Sequence, residues 1–139
     1  MKGTAARTAE IAIGMPVYNG EAYLRQAIDS LLAQSFRDFV LLISDNASTD
    51  RTQQICEDYV RCDPRVRYFR QLSNRGATFN WNFVVLQSDS PFFKWASAND
   101  VCPPTMLEHC VQVLRQQPET ALCYGRTELI DDDGVSIGI

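Results

Sequence analysis

The sequence predicts an α/β fold in three layers (α/β/α), with a mainly parallel sheet between two layers of helices. Short, continuous apolar runs alternate along the chain with segments in which apolar residues recur every three or four positions. Continuous apolar runs are typical of strands that are covered on both faces, and the recurring pattern is typical of helices. Strands that alternate with helices of roughly 10–15 residues form crossover units, which make a sheet parallel.

Composition limits the class of protein. The 139 residues suit one domain, and 45% hydrophobic with 22% charged residues is a globular composition. Seventeen acidic and thirteen basic residues give a net charge of -4, so we expect no nucleic-acid partner. No apolar run approaches the ~20 residues of a membrane span, and residues 1–10 contain no apolar signal-peptide core. Five cysteines without a C-x-x-C pair indicate reduced, mostly buried thiols in a cytoplasmic protein.

The first strand and helix follow a short polar tail. Residues 1–8 predict a disordered tail, and one domain is expected over residues 9–139. The apolar run Ile11–Met15 stops at Pro16 and predicts the first strand. A loop with an Asn-Gly turn signal follows. A helix over about residues 21–34 is predicted from apolar residues at helical spacing, namely Leu24, Ala27, Ile28, Leu31 and Leu32.

The same pattern repeats in the middle of the chain. The run Phe39–Ile43 predicts a second strand, and Ser44–Asp50 is a polar loop rich in helix-capping residues. The helix that follows is expected to end at Asp63-Pro64, because a residue before proline disfavours helical dihedrals. Val66–Phe69 predicts a third strand.

The second half of the chain is predicted to contain two further helices. Asn74–Gly76 predicts a turn before a helix over about residues 77–87, and Phe92–Ala96 predicts a fourth strand. Pro103-Pro104 suits the first turn of the next helix. We predict a fifth strand over residues 121–124, a sixth over 127–130 and a turn over 131–134.

Three of the predicted loops meet at one edge of such a sheet. In open parallel sheets ligands bind beyond the carboxyl ends of the strands. The loops after strands one, two and four carry Pro16–Asn19, Asp45 and Asn99-Asp100. Their polar side chains could hold a ribose, a base edge and a divalent cation, since aspartate is a hard oxygen ligand of the type that Mg²⁺ and Mn²⁺ prefer. The alternative is structural: turn and capping roles suffice for several of them and for Ser48–Asp50, and Tyr18 could be a packing residue.

Four segments together resemble a known family. Ile13–Asn19, Ser44–Asp50, Asn74–Gly76 and Trp95–Asp100 are similar, in order and spacing, to the signatures of family 2 glycosyltransferases of the GT-A fold, over about residues 10–133. The resemblance implies a Rossmann-like domain. It also implies an enzyme that transfers a sugar from a nucleotide-diphosphate donor to an acceptor hydroxyl with inversion, usually with Mg²⁺ or Mn²⁺. A saccharide or a lipid-linked molecule is the expected acceptor.

The resemblance assigns roles in nucleotide binding to six residues, of which Asn99 is described with the metal below. Pro16, Val17 and Tyr18 would line the base pocket. Asp45 would accept a hydrogen bond from the base, typically the uracil N3–H, which makes UDP the expected carrier. Arg75 lies in the stretch that flanks the donor.

The same resemblance places the metal at Asp100, with Asn99 facing the ribose or the metal shell. The family usually has an acidic residue where Asn99 stands, and an amide supplies no charge, so weaker metal binding is expected. The family's general base normally follows by many tens of residues, and Asp131–Asp133 is better explained as a hairpin turn. We therefore expect a C-terminally truncated donor-binding part, inactive by itself, with its base beyond residue 139.

Two other classes remain open at this point. One is a non-catalytic nucleotide-binding or interaction module that keeps the fold, which the amide of Asn99 favours. The other is a response-regulator-like module with Asp45 and Lys94 as its site, which leaves Pro16–Asn19 unexplained. A homodimer also stays open, as does a peripheral contact with the membrane through a cluster of arginines at positions 61, 65, 67 and 70.

Overall fold

The chain forms a four-stranded parallel sheet with helices on both faces. The computed structural model describes residues 8–139, so all but the last residue of the predicted tail lie outside the described residues. The strands are β1 (Ile11–Val17), β2 (Phe39–Asp45), β3 (Val66–Arg70) and β4 (Phe92–Trp95), in the order β3-β2-β1-β4. The helices are α1 (Leu24–Leu32), α2 (Thr52–Cys62), α3 (Ala77–Leu86) and α4 (Met106–Gln116). A separate hairpin consists of β5 (Leu129–Ile130) and β6 (Ser136–Gly138).

The larger core lies on one face of the sheet. Alternate residues of β1, namely Ile11, Ile13 and Met15, pack in one cluster with apolar residues of β2, α1, α2 and α4. Every residue of β1 is buried. Burying an aliphatic side chain of this size contributes about 1.5–3 kcal/mol, so this cluster is a main source of stability and keeps the strand ends in register.

The other face of the sheet is covered by α3, and Gly14 allows the close approach. A Cβ atom at Gly14 would lie 2.5 Å from Cζ of Phe93 and 2.7 Å from Cγ2 of Val84. Only a residue without a side chain fits there, so α3 can rest directly on β1. Helices on both faces and parallel strands confirm the predicted three-layer fold.

Two details of the sequence-based prediction are wrong. Residues 121–124 form no strand: Leu122 and Tyr124 are 73% and 83% exposed, and no described strand lies alongside them. An apolar run forms a strand only where a neighbouring strand accepts its hydrogen bonds. The cysteines are also not mostly buried, because only Cys56 is fully inside.

The hairpin agrees with the predicted turn, and its two strands form a sheet separate from the main one. β5 pairs antiparallel with β6, and Gly134 adopts a φ of 79° and donates its N–H to the Asp131 carbonyl at 3.0 Å. The Tyr23 hydroxyl donates to Oδ1 of Asp132 at 2.7 Å and ties the hairpin to the residue before α1. Among the described residues, no helix is long and apolar enough to cross a membrane.

Candidate functional site

Two clefts open at the carboxyl edge of the sheet, on either side of Pro16–Tyr18. The first cleft, about 350 Å³, is lined by Pro16–Gly20, Ala22, Tyr23 and Ser97–Asn99. The second cleft, about 280 Å³, is lined by Pro16–Tyr18, Asn46, Asn74, Gly76, Ala77, Asn80 and Trp81. Neither lining contains a charged side chain. Pro16 and Val17 are buried, whereas Tyr18 is 50% exposed and lines both clefts.

Asp45 is buried beside these clefts, and its carboxylate is already hydrogen-bonded within the protein. Its Oδ1 accepts the Ser48 N–H at 2.8 Å, and its Oδ2 accepts the Tyr68 hydroxyl at 2.7 Å and Nη1 of Arg70 at 2.9 Å. Arg70 stands opposite Asp45 in the register of β2 and β3, which explains the pairing. Burial raises the pKa of Tyr68, and its hydrogen bond to Asp45 raises it further. Asp45 therefore lines neither cleft, but it fixes the loop that borders them.

The loops after β1 and β2 hold each other through reciprocal hydrogen bonds. Asn19 and Gly20 donate their N–H groups to the Ser48 and Thr52 hydroxyls at 2.9 and 2.8 Å. Oδ1 of Asn19 accepts the Thr49 N–H at 2.9 Å in return. These are contacts of turn-forming residues, and they hold Tyr18 between the two clefts.

Asp50 extends the same network to the start of α2. Its two carboxylate oxygens accept the N–H groups of Thr52 at 2.9 Å and Glu21 at 3.1 Å. Burial raises the pKa of Asp50, but the hydrogen bonds from Thr52 and Glu21 outweigh it, and the pKa is lowered overall. Asp50 is thus a structural carboxylate that stays charged in the folded protein.

Asn80 is a site residue that sequence reasoning missed. It is buried on α3, where its Nδ2 donates to the carbonyls of Ser44 at 2.8 Å and Val17 at 3.3 Å. Its Oδ1 accepts the Ser44 hydroxyl at 2.5 Å. The signal available in the sequence was its position four residues before Val84, on the helix face that packs on the sheet.

The wall of the second cleft nearest α3 is built from amides and backbone. Asn46 donates through Nδ2 to Oδ1 of Asn74 at 2.9 Å and accepts the Arg75 N–H on its Oδ1 at 2.9 Å. Arg75 lies between the lining residues Asn74 and Gly76 but does not itself line the cleft, and its guanidinium lies 3.6 Å from the centroid of the Phe79 ring. Gly76, with a φ of 84°, turns the chain into α3.

Asn99 and Asp100 lie on the exposed loop after β4 and have different positions. Asn99 lines the first cleft, and its Oδ1 accepts the Ser97 hydroxyl at 2.6 Å. Asp100 is exposed and lines neither cleft. Within residues 8–139, no group of three or more His, Cys, Asp or Glu could hold a metal ion. Asp100 alone offers one hard oxygen ligand, which suits a cation that takes its other ligands from phosphates and water.

The sequence is similar to known glycosyltransferases over most of its length. The family model described as glycosyl transferase family 2 matches residues 12–136. An uncharacterised glycosyltransferase of Rickettsia felis is 32% identical over 130 residues, which cover 91% of this chain and 21% of that protein. The chain therefore spans about a fifth of the length of this relative.

Solved structures show the same fold. The S. aureus TarS structure in complex with UDP-GlcNAc has a TM-score of 0.73 at 23% identity, covering 78% of this chain and 32% of that chain. A mannosyltransferase from Pyrobaculum calidifontis, in complex with GDP-Man and Mn²⁺, has a TM-score of 0.62 at 16% identity, covering 70% of this chain and 30% of that chain. The expected GT-A, Rossmann-like architecture is confirmed by these likenesses.

Proposed function

The chain belongs to glycosyl transferase family 2, and we propose that residues 9–139 form the donor-binding domain of an inverting, UDP-sugar-dependent glycosyltransferase. The main support is the pair of clefts that meet at Tyr18, beyond the carboxyl ends of the parallel strands. This is the edge where open α/β sheets bind ligands. The TarS structure contains UDP-GlcNAc, which is a UDP-sugar and thus belongs to the proposed class of donor.

We assign the nucleotide base to the second cleft. Tyr18 and Trp81 are 50% and 39% exposed there, and aromatic faces of this kind stack on bases. The remaining lining consists of three amides, small apolar side chains and backbone, which suit a neutral base better than a phosphate. Asp45 has three donors on its roughly four lone-pair sites. In this proposal its remaining lone-pair site would accept the uracil imino N–H.

The diphosphate then extends towards Asn99 and Asp100, with Arg75 on the flank of the second cleft. Asn99 lines the first cleft, so its amide would face the ribose or the metal shell. Asp100 would hold Mg²⁺ or Mn²⁺ together with phosphate oxygens and water. When bound, such a cation neutralises the charge that develops on the departing diphosphate.

The residues that line the two clefts supply binding and orientation, but none of them is a candidate base. The reciprocal hydrogen bonds between the loops after β1 and β2 fix Tyr18, and positioning of reactants contributes several kcal/mol to catalysis. Inverting transfer also needs a general base aimed at the acceptor hydroxyl. Neither cleft lining contains a carboxylate or a histidine. We therefore assign the base, and the site of the acceptor, a saccharide or a lipid-linked molecule, to other parts of the enzyme. We place the enzyme in the cytoplasm because all five thiols are free.

Calorimetric titration tests the donor assignment. We expect UDP to bind more tightly than GDP or ADP, and Mn²⁺ to increase the affinity for UDP but not for uridine. Asp100→Asn should remove the effect of Mn²⁺ and leave uridine binding unchanged. Asp89→Asn, an exposed carboxylate between α3 and β4, is the matched control. Equal affinities for the three nucleotides would contradict the assignment of UDP, and equal losses for UDP and uridine would make Asp100 a structural residue.

A non-catalytic nucleotide-binding module is the second candidate. The amide of Asn99 and the absence of carboxylates from both described cleft linings favour it. The two functions differ in the fate of a bound UDP-sugar. A longer protein that contains this domain should release UDP from the donor in the presence of an acceptor if it is a transferase, and should bind the donor unchanged if it is a module.

A further inference from the structure

Gln34, close behind the end of α1, is a fully buried amide that binds a distant part of the chain. We call that part, residues 102–107, the anchored segment. Nε2 of Gln34 donates to the carbonyls of Cys102 at 3.3 Å and Pro103 at 2.8 Å. Its Oε1 accepts the Leu107 N–H at 3.0 Å. Loss of these bonds would leave buried polar groups without partners, so the side chain fixes the backbone that it contacts.

Ser30 gives α1 a second attachment to the anchored segment. Its hydroxyl oxygen accepts the Cys102 N–H at 3.1 Å, and its carbonyl accepts Nε2 of Gln34 at 3.1 Å. The Ser35 N–H donates to the Pro104 carbonyl at 2.8 Å. Side chains and backbone at the end of α1 therefore hold the segment together.

The loop at residues 97–101 directly precedes the anchored segment and carries the predicted metal ligand, Asp100. It is held at both ends. Before it, the Ala96 N–H donates to the Gly14 carbonyl of β1 at 2.9 Å, and after it Cys102 is bound to α1. The place of this loop is therefore set by β1 on one side and by α1 on the other.

The helix α1 connects the two loops that line the first cleft. One of these loops lies before α1 and the other follows β4. The first leads directly into α1, and the second is bound to the end of α1 through the anchored segment. Because the backbone hydrogen bonds of a helix are internal, α1 is a stiff connection between them.

We propose that Gln34 and Ser30 are positioning residues of the donor site, which hold Asp100 where it can share a divalent cation with the diphosphate. The purpose of this anchoring rests on the proposed function, whereas the anchoring itself does not. Neither side chain lines either described cleft, so both act through the backbone. A lone carboxylate shares its cation with phosphates and water, so its place relative to the phosphates governs the bond.

The test compares the wild-type 139-residue chain with Gln34→Met, which nearly keeps the side-chain volume and loses the hydrogen bonds. Hydrogen–deuterium exchange without ligand measures the loop at 97–101, and we expect faster exchange there. Calorimetric titration with UDP and uridine, with and without Mn²⁺, measures the site. UDP binding with Mn²⁺ should weaken about tenfold, as when the support behind a metal ligand is removed, and uridine binding should change little.

Matched variants separate positioning from a general loss of stability. Ile55→Val removes a methyl group from the core at α2, and it should change neither the exchange of the loop nor the effect of Mn²⁺. Ser30→Ala removes only the acceptor of the Cys102 N–H, and should shift both measurements in the same direction as Gln34→Met but less. Ser30→Thr keeps a hydroxyl and should restore both. The serine variants keep the test decisive if Gln34→Met does not fold.

The two measurements also distinguish the ways in which the proposal can fail. Unchanged exchange at 97–101 in Gln34→Met and Ser30→Ala would refute the anchoring, whatever the ligand is. Faster exchange with an unchanged effect of Mn²⁺, or equal losses for UDP and uridine, would refute the positioning role. A wild-type chain whose UDP affinity does not respond to Mn²⁺ would contradict the metal assignment in the proposed function, and the positioning role with it.

Discussion

At the scale of single residues, the site depends on buried polar groups that are satisfied by neighbouring elements. Asp45 has no exposed surface, yet it ends β2 with three hydrogen bonds, two of them from side chains of β3. Removing one member of a buried charged pair is costly because the partner is left without its hydrogen bonds. Asp45 thus stabilises the site before any nucleotide binds, and changes to it affect folding as well as binding.

Replacement of Asp45 separates these two effects. Asp45→Ala should lower the free energy of unfolding by about 2–3 kcal/mol, a moderate loss because Arg70 is partly exposed and regains water. Tyr68→Phe, which removes one donor to the same carboxylate, should cost about 1 kcal/mol. Urea denaturation measures both. A loss for Asp45→Ala no larger than that for Tyr68→Phe would show that Arg70 contributes nothing to the pair.

Asn80 offers a second test at this scale. Asn80→Ala leaves the Ser44 hydroxyl and two carbonyls without their partner and opens a small cavity, so we expect a loss of about 2–4 kcal/mol. Asn82→Ala, at an exposed position of the same helix, should change stability by less than about 0.5 kcal/mol. Thermal unfolding followed by circular dichroism compares the two. Equal midpoints for both variants would contradict a structural role for Asn80.

At the scale of elements, α1 and α2 contact each other on the face of the sheet that carries the larger core. Their preceding loops are linked through Asn19, Gly20 and Thr52, as described above. Further along the helices, the Tyr59 hydroxyl donates to Oδ1 of Asp29 at 2.6 Å. An exposed ion pair of 3.1 Å between Arg25 and Asp58 adds little, since solvent screens it. The tyrosine therefore carries most of the polar contact between the two helices.

This contact predicts a stability that depends on alkaline pH. Burial, followed by the hydrogen bond to Asp29, raises the pKa of Tyr59 to about 12, from an ordinary value near 10. A folded-state pKa above the unfolded one gives a stabilisation that is complete below pH ~10 and is lost as the pH rises to about 12. Tyr59→Phe should therefore destabilise the protein at pH ~8 and should differ less from wild type at pH ~11.

Urea denaturation at the two pH values provides the measurement for Tyr59→Phe. Burial also raises the pKa values of Cys56 and Tyr68, so the wild type loses stability in the same range and only the difference between the proteins is informative. Tyr124→Phe, at a position that is 83% exposed, should match wild type at both pH values. A wild-type advantage over Tyr59→Phe that grows with pH would contradict the predicted sign.

At the scale of the whole molecule, local patterns predicted the sheet and its helices but not every partner. β1 and β2 are covered on both faces, so their apolar runs were unambiguous, and the helical spacing predicted α1 to within a few residues. The segment 121–124 is also a continuous apolar run, but no described strand lies beside it. Such pairing is a property of the tertiary structure, which a single segment does not contain.

The site shows the same limit. The topology rule brought Tyr18 and Asn99 to one edge, and the structure places both in the first cleft. The pairing of Asp45 with Arg70 follows from the register of β2 and β3. The sequence of β3 does not specify this register, because its alternation of polar and apolar residues fits more than one alignment. Asn80 was missed because an asparagine in a helix is ordinary unless the buried face of that helix is known.

We expect the chain alone not to transfer a sugar to an acceptor. Transfer to an acceptor requires a base that lies within hydrogen-bond reach of the acceptor hydroxyl. Two of the carboxylates that follow Asp100 are hydrogen-bonded away from the clefts: Glu108 accepts the Ser35 hydroxyl, and Asp131 accepts N–H groups of its own turn. Asp132 is held by Tyr23 at the rim of the first cleft. The 139-residue chain should therefore bind UDP-sugar and hydrolyse it only slowly.

Acceptor-dependent release of UDP from a UDP-sugar, with Mn²⁺ and a panel of saccharide acceptors, measures this directly. We expect the same slow release with and without acceptor for the chain alone, and a marked acceptor dependence for a longer protein that contains this domain. Efficient acceptor-dependent release by the short chain would mean that it carries its own base. Asp132→Asn would then identify it: this carboxylate is already hydrogen-bonded to a residue that lines the first cleft. Asp89→Asn is the control. If Asp132→Asn loses transfer and Asp89→Asn keeps it, the acceptor site would lie at the hairpin.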